Sequence, residues 1–260
     1  MIRRSGSRVL RGYVHLPRNG APSRSTCVVA AYPFEEERKR AYRALVETAV
    51  ILQNAGFPVI RADYAGTGES DGDFTEVKPS GMLEDLGSVA DHALGMEGVR
   101  GIGLLGLRFG ANLALRLAVN GLPVEFIVMW EPVIDVRDYI NRRLGASNVK
   151  ILEGTGSVNL KGYEYSRDLY RECIAVPPLR EIDVPDVPIL VTTLGGERYA
   201  HRGNQWSDIK SCWRSRGFDN VTWSGSITRP FWEELVLPKC EENMKVTLDW
   251  ITGLASGSEG

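Results

Sequence analysis

Short apolar runs alternate with segments of helical spacing along most of this chain, and that order restricts it to one architectural class. Residues 26–32 (TCVVAAY), 57–63 (FPVIRAD), 101–107, 124–130 (VEFIVMW) and 188–194 (PILVTTL) read as strands, with one more expected near 221–224. Residues 8–16 alternate in the manner of an edge strand. Between the strands, Leu45, Ala49 and Leu52 place a helix over 36–55 that stops at Gly56. Met82, Leu86, Val89, Ala93 and Leu94 share one face of a second helix. Further helices are expected over 111–119, 205–216 and 241–254. Strands that are apolar throughout are buried on both faces. The fold class is therefore α/β: a mostly parallel sheet with helices on both sides.

The alternation stalls over 131–187, where polarity is mixed and no strand–helix pairing is visible. This stretch reads as an insertion over the C-terminal edge of the strands, the edge where such sheets bind ligands, with a cap segment at 132–184. The expectation is one domain over 1–260, with a disordered tail at 255–260. The charges, 31 Lys and Arg against 33 Asp and Glu, leave a net charge of −2 and no basic field for nucleic acid. No apolar run reaches the roughly 18 residues of a membrane span. Cys27, Cys173, Cys212 and Cys240 are scattered without zinc-type spacing, which predicts reduced thiols, a cytoplasmic setting and no metal. Residues 101–106 spell GxGxxG, but within and before a strand rather than after it, so no dinucleotide or other cofactor is expected.

The sharpest local signal is Gly106-Leu107-Arg108-Phe109-Gly110, where a strand runs straight into a helix. Glycines suit such a turn because a Cβ would strike neighbouring backbone. With residues 32–39 (YPFEEERK), 61–70 (RADYAGTGES), 130–132 (WEP) and 229–232 (RPFW), this turn makes the chain resemble the α/β-hydrolase superfamily. It most resembles the serine-aminopeptidase-like hydrolases found beside bacterial exosortase systems. The resemblance spans nearly the whole chain and implies an α/β-hydrolase-like sheet with an inserted cap. In those hydrolases the turn is Gly-x-Ser-x-Gly; here Arg108 stands where the nucleophile is expected. The resemblance also implies a histidine near 224–232, and none is there: the three histidines are His15, His92 and His201. Covalent serine chemistry has lost both of its active parts. A relocated nucleophile such as Ser70 has no base beside it in sequence.

An arginine at a helix start adds positive charge to positive potential and needs a carboxylate or an anionic ligand. Its protein partner would be Glu131 or Glu35; its ligand would be a small molecule bearing a carboxylate, sulfate or phosphate. Arg108, Glu35 and Glu131 are the candidate catalytic residues, the first for the anion and the other two for protons. Glu36 and Glu37 read as the acidic first turn of a helix. Asp63 and the glycine-rich loop after it read as a brace. Glu197 and His201 mark a loop where hydrolases keep an acid. Phe34, Phe109, Trp130, Tyr163, Phe231 and Trp232 are the candidate substrate-binding aromatics, with Tyr165 beside them. The expected activity is that of a small-molecule enzyme without a serine nucleophile. The alternative is a non-catalytic member of the fold that binds a ligand, a protein partner or a second copy of itself.

Overall fold

The computed structural model describes residues 2–5, 8–18, 23–194, 200–226, 231–232 and 240–257. Its strands are β1 (Ile2–Ser5), β2 (Arg8–His15), β3 (Thr26–Ala31), β4 (Val59–Ala62), β5 (Gly101–Leu107) and β6 (Phe126–Trp130), a small hairpin of β7 (Ser157–Leu160) and β8 (Tyr163–Ser166), then β9 (Ile189–Leu194) and β10 (Val221–Ser226). The main sheet runs β1-β2-β4-β3-β5-β6-β9-β10 among the described residues. It is parallel from β4 to β10, while β2 lies antiparallel to both β4 and β1. The expected edge strand at 8–16 is thus second from the edge, because the basic N-terminus supplies β1 outside it.

Helices α1 (Glu35–Asn54) and α7 (Glu241–Gly257) pack together, as do α2 (Pro79–Leu94) and α3 (Phe109–Val119), covering the two faces of the sheet. In α1 three glutamates occupy the first turn, where the helix dipole favours them, and Ala41, Ala44, Leu45, Thr48, Ala49 and Leu52 form the buried stripe. Pro79 opens α2 at a position whose N–H has no helical acceptor.

Between β6 and β9 the chain is more regular than its sequence suggested. It forms α4 (Val136–Thr155), the β7–β8 hairpin, α5 (Arg167–Ala175) and a single 3₁₀ turn at Leu179–Glu181. Asp135 caps α4 by accepting from the N–H groups of Arg137 and Asp138, and Gly156 closes it with a left-handed φ of 94°. Gly145, at φ 74° and ψ 155°, breaks the helix midway, and the polar stretch around it hid the periodicity of Val136, Ile140 and Leu144. After β9 comes α6 (Ala200–Ser215). The tail expected to be disordered from residue 255 is helical as far as Gly257; residues 258–260 lie outside the described residues.

Candidate active site

Three adjacent strands, β3, β5 and β6, deliver the site. Each is soon followed by a non-glycine residue with positive φ: Glu35 at 45°, Arg108 at 56° and Glu131 at 39°. Such conformations cost about 1–3 kcal/mol each and survive only where the surroundings enforce them. The other described case, Lys161 in the β7–β8 turn, is a surface turn residue. Strain is therefore concentrated on one edge of the sheet.

At the turn after β5, the Arg108 N–H donates to the Trp130 carbonyl at 2.9 Å and its own carbonyl accepts from Ala111 N–H at 3.1 Å. A Cβ on Gly106 would lie 2.4 Å from Ala111 Cα, and one on Gly110 would lie 2.2 Å from the carbonyl oxygen of Ala31. Both glycines are sterically required. The N–H groups of Phe109 and Gly110, the first two of α3, have no acceptor within the helix.

The Arg108 side chain is 12% exposed. Its Nε stands 3.4 Å from Oε2 of Glu37, and Nη2 donates to Glu37 Oε1 at 3.5 Å. Nη1 donates to the Glu131 backbone carbonyl at 3.3 Å. The guanidinium also lies 5.1 Å from the Trp232 ring centre and 5.8 Å from that of Tyr139. A well-made arginine–carboxylate fork is closer, at about 2.7–2.9 Å. Here Arg108 Nε and Glu37 Oε2 are both buried without a hydrogen bond. The pair is neutralised in charge but not geometrically closed. Burial works against the charge of Arg108, and Glu37, Tyr139 and Glu131 outweigh it, so its pKa lies above the ordinary arginine value.

The partner of Arg108 is thus Glu37, not the Glu131 or Glu35 carboxylate anticipated from sequence. Glu37 precedes Ala41, Ala44 and Thr48 on the buried stripe of α1, a phase that distinguishes it from an ordinary solvated first-turn acid. Glu35 is engaged elsewhere: its Oε2 accepts from Arg143 Nε at 2.6 Å, and Arg143 Nη2 closes the same ion pair. Its other oxygen is buried with no partner. Burial pushes the Glu35 carboxyl up to about 7, with Glu37 and Glu36 adding to the rise and Arg143 opposing it. Arg143 Nε also donates to the Tyr165 hydroxyl at 3.3 Å. The Tyr139 hydroxyl is buried without a partner, and burial followed by the nearby Glu37 charge holds its pKa well above the usual phenol value.

A cavity of about 510 Å³ opens over Arg108, Glu37 and Glu131, walled by Tyr139 and Arg143 of α4 and by Trp206, Ile209 and Cys212 of α6. Its arginines are Arg108, Arg142, Arg143 and Arg180. Against them stand Glu37, Glu131, Asp135, Asp138 and Asp208, so the cavity is of mixed charge.

The anticipated aromatics do not line this cavity. Trp130 is fully buried with its indole N–H donating to Thr247 at 2.9 Å, and Phe231 and Trp232 pack against each other in the core. Phe34, Phe109 and Tyr163 join a cluster with Phe74 and Tyr165 beside the site. Strand-end aromatics here fill the joint between sheet and inserted segment; Tyr139 and Trp206 supply the cavity's aromatic surface instead. Glu35 sits behind Arg143 and does not line the cavity either. Asn112 was not anticipated. Fully buried on α3, its amide donates to the Val133 carbonyl at 2.7 Å and accepts from the Val133 N–H at 3.0 Å, clamping the segment that carries Glu131. A lone amide in the apolar run 109–119 was its signal. Ser70 is a brace: its hydroxyl donates to the Asp63 carbonyl and accepts from Arg11 N–H. Asp63 in turn accepts from Arg38 Nε at 2.9 Å. His15 accepts from Arg61 on the far side of α1, and His92 lies in the last turn of α2. His201 falls in α6 with its side chain outside the described residues, as do Glu197, Arg229 and Pro230 altogether. No group of three or more metal-binding side chains occurs among the described residues, and no described helix is long and apolar enough to cross a membrane.

No family model and no curated protein matches the chain. Solved structures do. Est1E from Butyrivibrio proteoclasticus with ferulic acid bound superposes with a TM-score of 0.76 at 14% identity, over 98% of this chain and 99% of that one. Mouse alpha/beta hydrolase domain-containing protein 10 gives 0.64 at 18% identity over 99% and 98%. XC6422 from Xanthomonas campestris, described as an a/b serine hydrolase without lid, gives 0.55 at 15% over 90% and 85%. At these identities the likeness defines the fold. The chain has the α/β-hydrolase fold, and its cavity lies at the turn between β5 and α3.

Proposed function

We propose that this protein is a small-molecule enzyme of the α/β-hydrolase fold that works without a covalent acyl-enzyme, using Arg108 to hold an anionic group of its substrate. The observation that carries the proposal is the loose Arg108–Glu37 contact at a strained turn on the floor of a cavity. A well-made structural pair would be closed; at 3.4 and 3.5 Å this one is open to exchange for a second anion reaching Arg108 from the cavity. An entering carboxylate, sulfate or phosphate takes the fork of Arg108, while the free N–H groups at the start of α3 add positive potential. Glu131, strained and at the cavity wall, moves the proton at a water or leaving group. Glu35 holds Arg143 in place. Preorganised charge of this kind supplies about 3–4 kcal/mol per well-placed donor, so a missing nucleophile does not end catalysis. The mixed charge around the rest of the cavity suits a substrate whose remainder is polar.

Two measurements test the proposal. A fluorophosphonate probe is expected to leave the protein unlabelled, and Arg108→Ala is expected to lose tenfold or more in calorimetric affinity for small carboxylates or phosphate and to lose turnover. Labelling of the wild type, or an Arg108→Ala variant that behaves as the wild type does, overturns it.

A second reading makes the protein a non-catalytic binder of a ligand or of a partner protein. Glu37 favours it, since that carboxylate answers the Arg108 charge within the chain. A stable complex with another enzyme on co-purification, together with no turnover across ester, amide and phosphoester panels, would select it.

A further inference from the structure

A second cavity, of about 340 Å³, opens on the other side of α1. Glu37 faces the first cavity, whereas Arg38, Lys39 and Tyr42 face this one, and the two have no lining residue in common. Its lining includes Arg61 of β4, only 3% exposed. Arg61 Nη1 donates to the Tyr32 hydroxyl at 2.6 Å and Nε donates to His15 Nε2 at 3.0 Å. Its guanidinium lies 5.4 Å from the ring centres of both Tyr13 and Tyr42. Among the described residues no carboxylate comes within 4.0 Å of it, and Nη2 has no hydrogen-bond acceptor there. Of the two carboxylates in the lining, Asp63 accepts from Arg38 and from the Glu69 N–H, and Glu69 makes no ion pair with Arg61 within 4.0 Å.

A guanidinium does not lose its proton under any ordinary condition, so this is a permanent buried cation. Its partners are all neutral. Two tyrosine faces and a hydroxyl offset part of the desolvation, and burial together with Arg61 holds the His15 pKa below its usual value, leaving that imidazole a neutral acceptor. None of them supplies the opposite charge. We infer that this second cavity is a binding site for a small organic carboxylate, received by the free edge of Arg61 and flanked by the rings of Tyr13 and Tyr42. A monoanion suits the site because no carboxylate lies within 4.0 Å of Arg61 among the described residues; Arg38 is matched by Asp63 and Lys39 by Glu36, and Glu69 shares the lining without an ion pair to Arg61. Aromatic walls favour an apolar body on that carboxylate over a bare inorganic anion.

His15 touches Arg61 and is one of three histidines in the chain, so its imidazole signals report occupancy. The test is an NMR titration of the full-length protein with benzoate, with benzamide as the neutral isostere and inorganic phosphate as the alternative anion. A saturable shift of the His15 resonances is expected with benzoate, and none with benzamide. Phosphate is expected to bind at least tenfold more weakly. Arg61→Lys, which keeps the charge but not the fork, is expected to weaken benzoate at least tenfold. Tyr13→Leu alters a half-exposed ring and keeps the test decisive should the Arg61 variant fail to fold; a several-fold loss is expected. Arg108→Ala should give the wild-type His15 curve, which separates this site from the first. No saturable shift, an equal response to benzamide, tighter binding of phosphate, or wild-type affinity in both Arg61→Lys and Tyr13→Leu overturns the inference.

Discussion

Glu35, Arg108 and Glu131 each hold a backbone conformation that their side chains disfavour, and each is fixed by a different means. Arg108 is fixed by the glycines on either side of its turn, Glu131 by its N–H bond to the Thr192 carbonyl at 2.8 Å, and Glu35 by its ion pair with Arg143. The last of these has a pH signature. Because the folded-state pKa of Glu35 is raised from 4.5 to about 7, its protonated form favours folding, and that contribution is lost as pH rises from the lower value through the upper. Glu35→Gln should remove the slope: denaturant unfolding at about pH 5 and about pH 8 is expected to show wild type losing ground to the variant at the higher pH. Arg143→Leu should do the opposite, leaving a buried carboxylate without its cation. About 3–5 kcal/mol of stability is expected to be lost above pH 7, and less in acid, where Glu35 is neutral. Equal losses at both pH values would mean that Arg143 acts through packing rather than charge.

At the level of elements, the turn between β5 and α3 and the Asn112 clamp set the positions of Arg108 and Glu131. Gly110→Ala would drive a methyl into the carbonyl oxygens of Ala31 and Tyr32, which are backbone and cannot rotate aside. Thermal unfolding should record a loss of about 1–3 kcal/mol or more. Asn112→Leu strands the N–H and carbonyl of Val133 in a dry interior, at an expected cost of about 1–3 kcal/mol for each group left unpaired. Its turnover or ligand affinity should fall with stability, because Glu131 loses its anchor. The turn and the flanking strands were legible in sequence: β5 begins and ends where its apolar run does, and the spacing of Gly106 and Gly110 has one steric meaning. α4 was not legible. Its apolar positions are few and Gly145 interrupts them, so the side chains it brings to the cavity, Tyr139 and Arg143 among them, were missed with it.

Across the whole molecule, local pattern carried the sheet because β5 and β6 are apolar along their full length and the strands beside them nearly so, a property independent of their neighbours. The site depends on contacts across long stretches of chain, Arg108 to Glu37 and Arg143 to Glu35, and no local pattern announces a pairing of that span. That is why the turn was identified while its partner was misassigned, and why the strand-end aromatics Trp130, Phe231 and Trp232 proved to be core. The closed interior also sorts the thiols. Burial pushes Cys27, Cys173 and Cys240 up to about 12, whereas Cys212 is partly open and borders the first cavity. A chromogenic disulfide reagent should therefore titrate one thiol in the native protein and all four in denaturant, and a ligand in the first cavity should slow the native reaction. The central claim concerns Arg108, and an electron-density map of crystals soaked with a small carboxylate or sulfate tests it most directly. The expected map has the anion within about 3 Å of the Arg108 guanidinium, beside the first N–H groups of α3. A map with Arg108 turned away from an empty cavity, or closed tightly on Glu37 with the anion elsewhere, would contradict it.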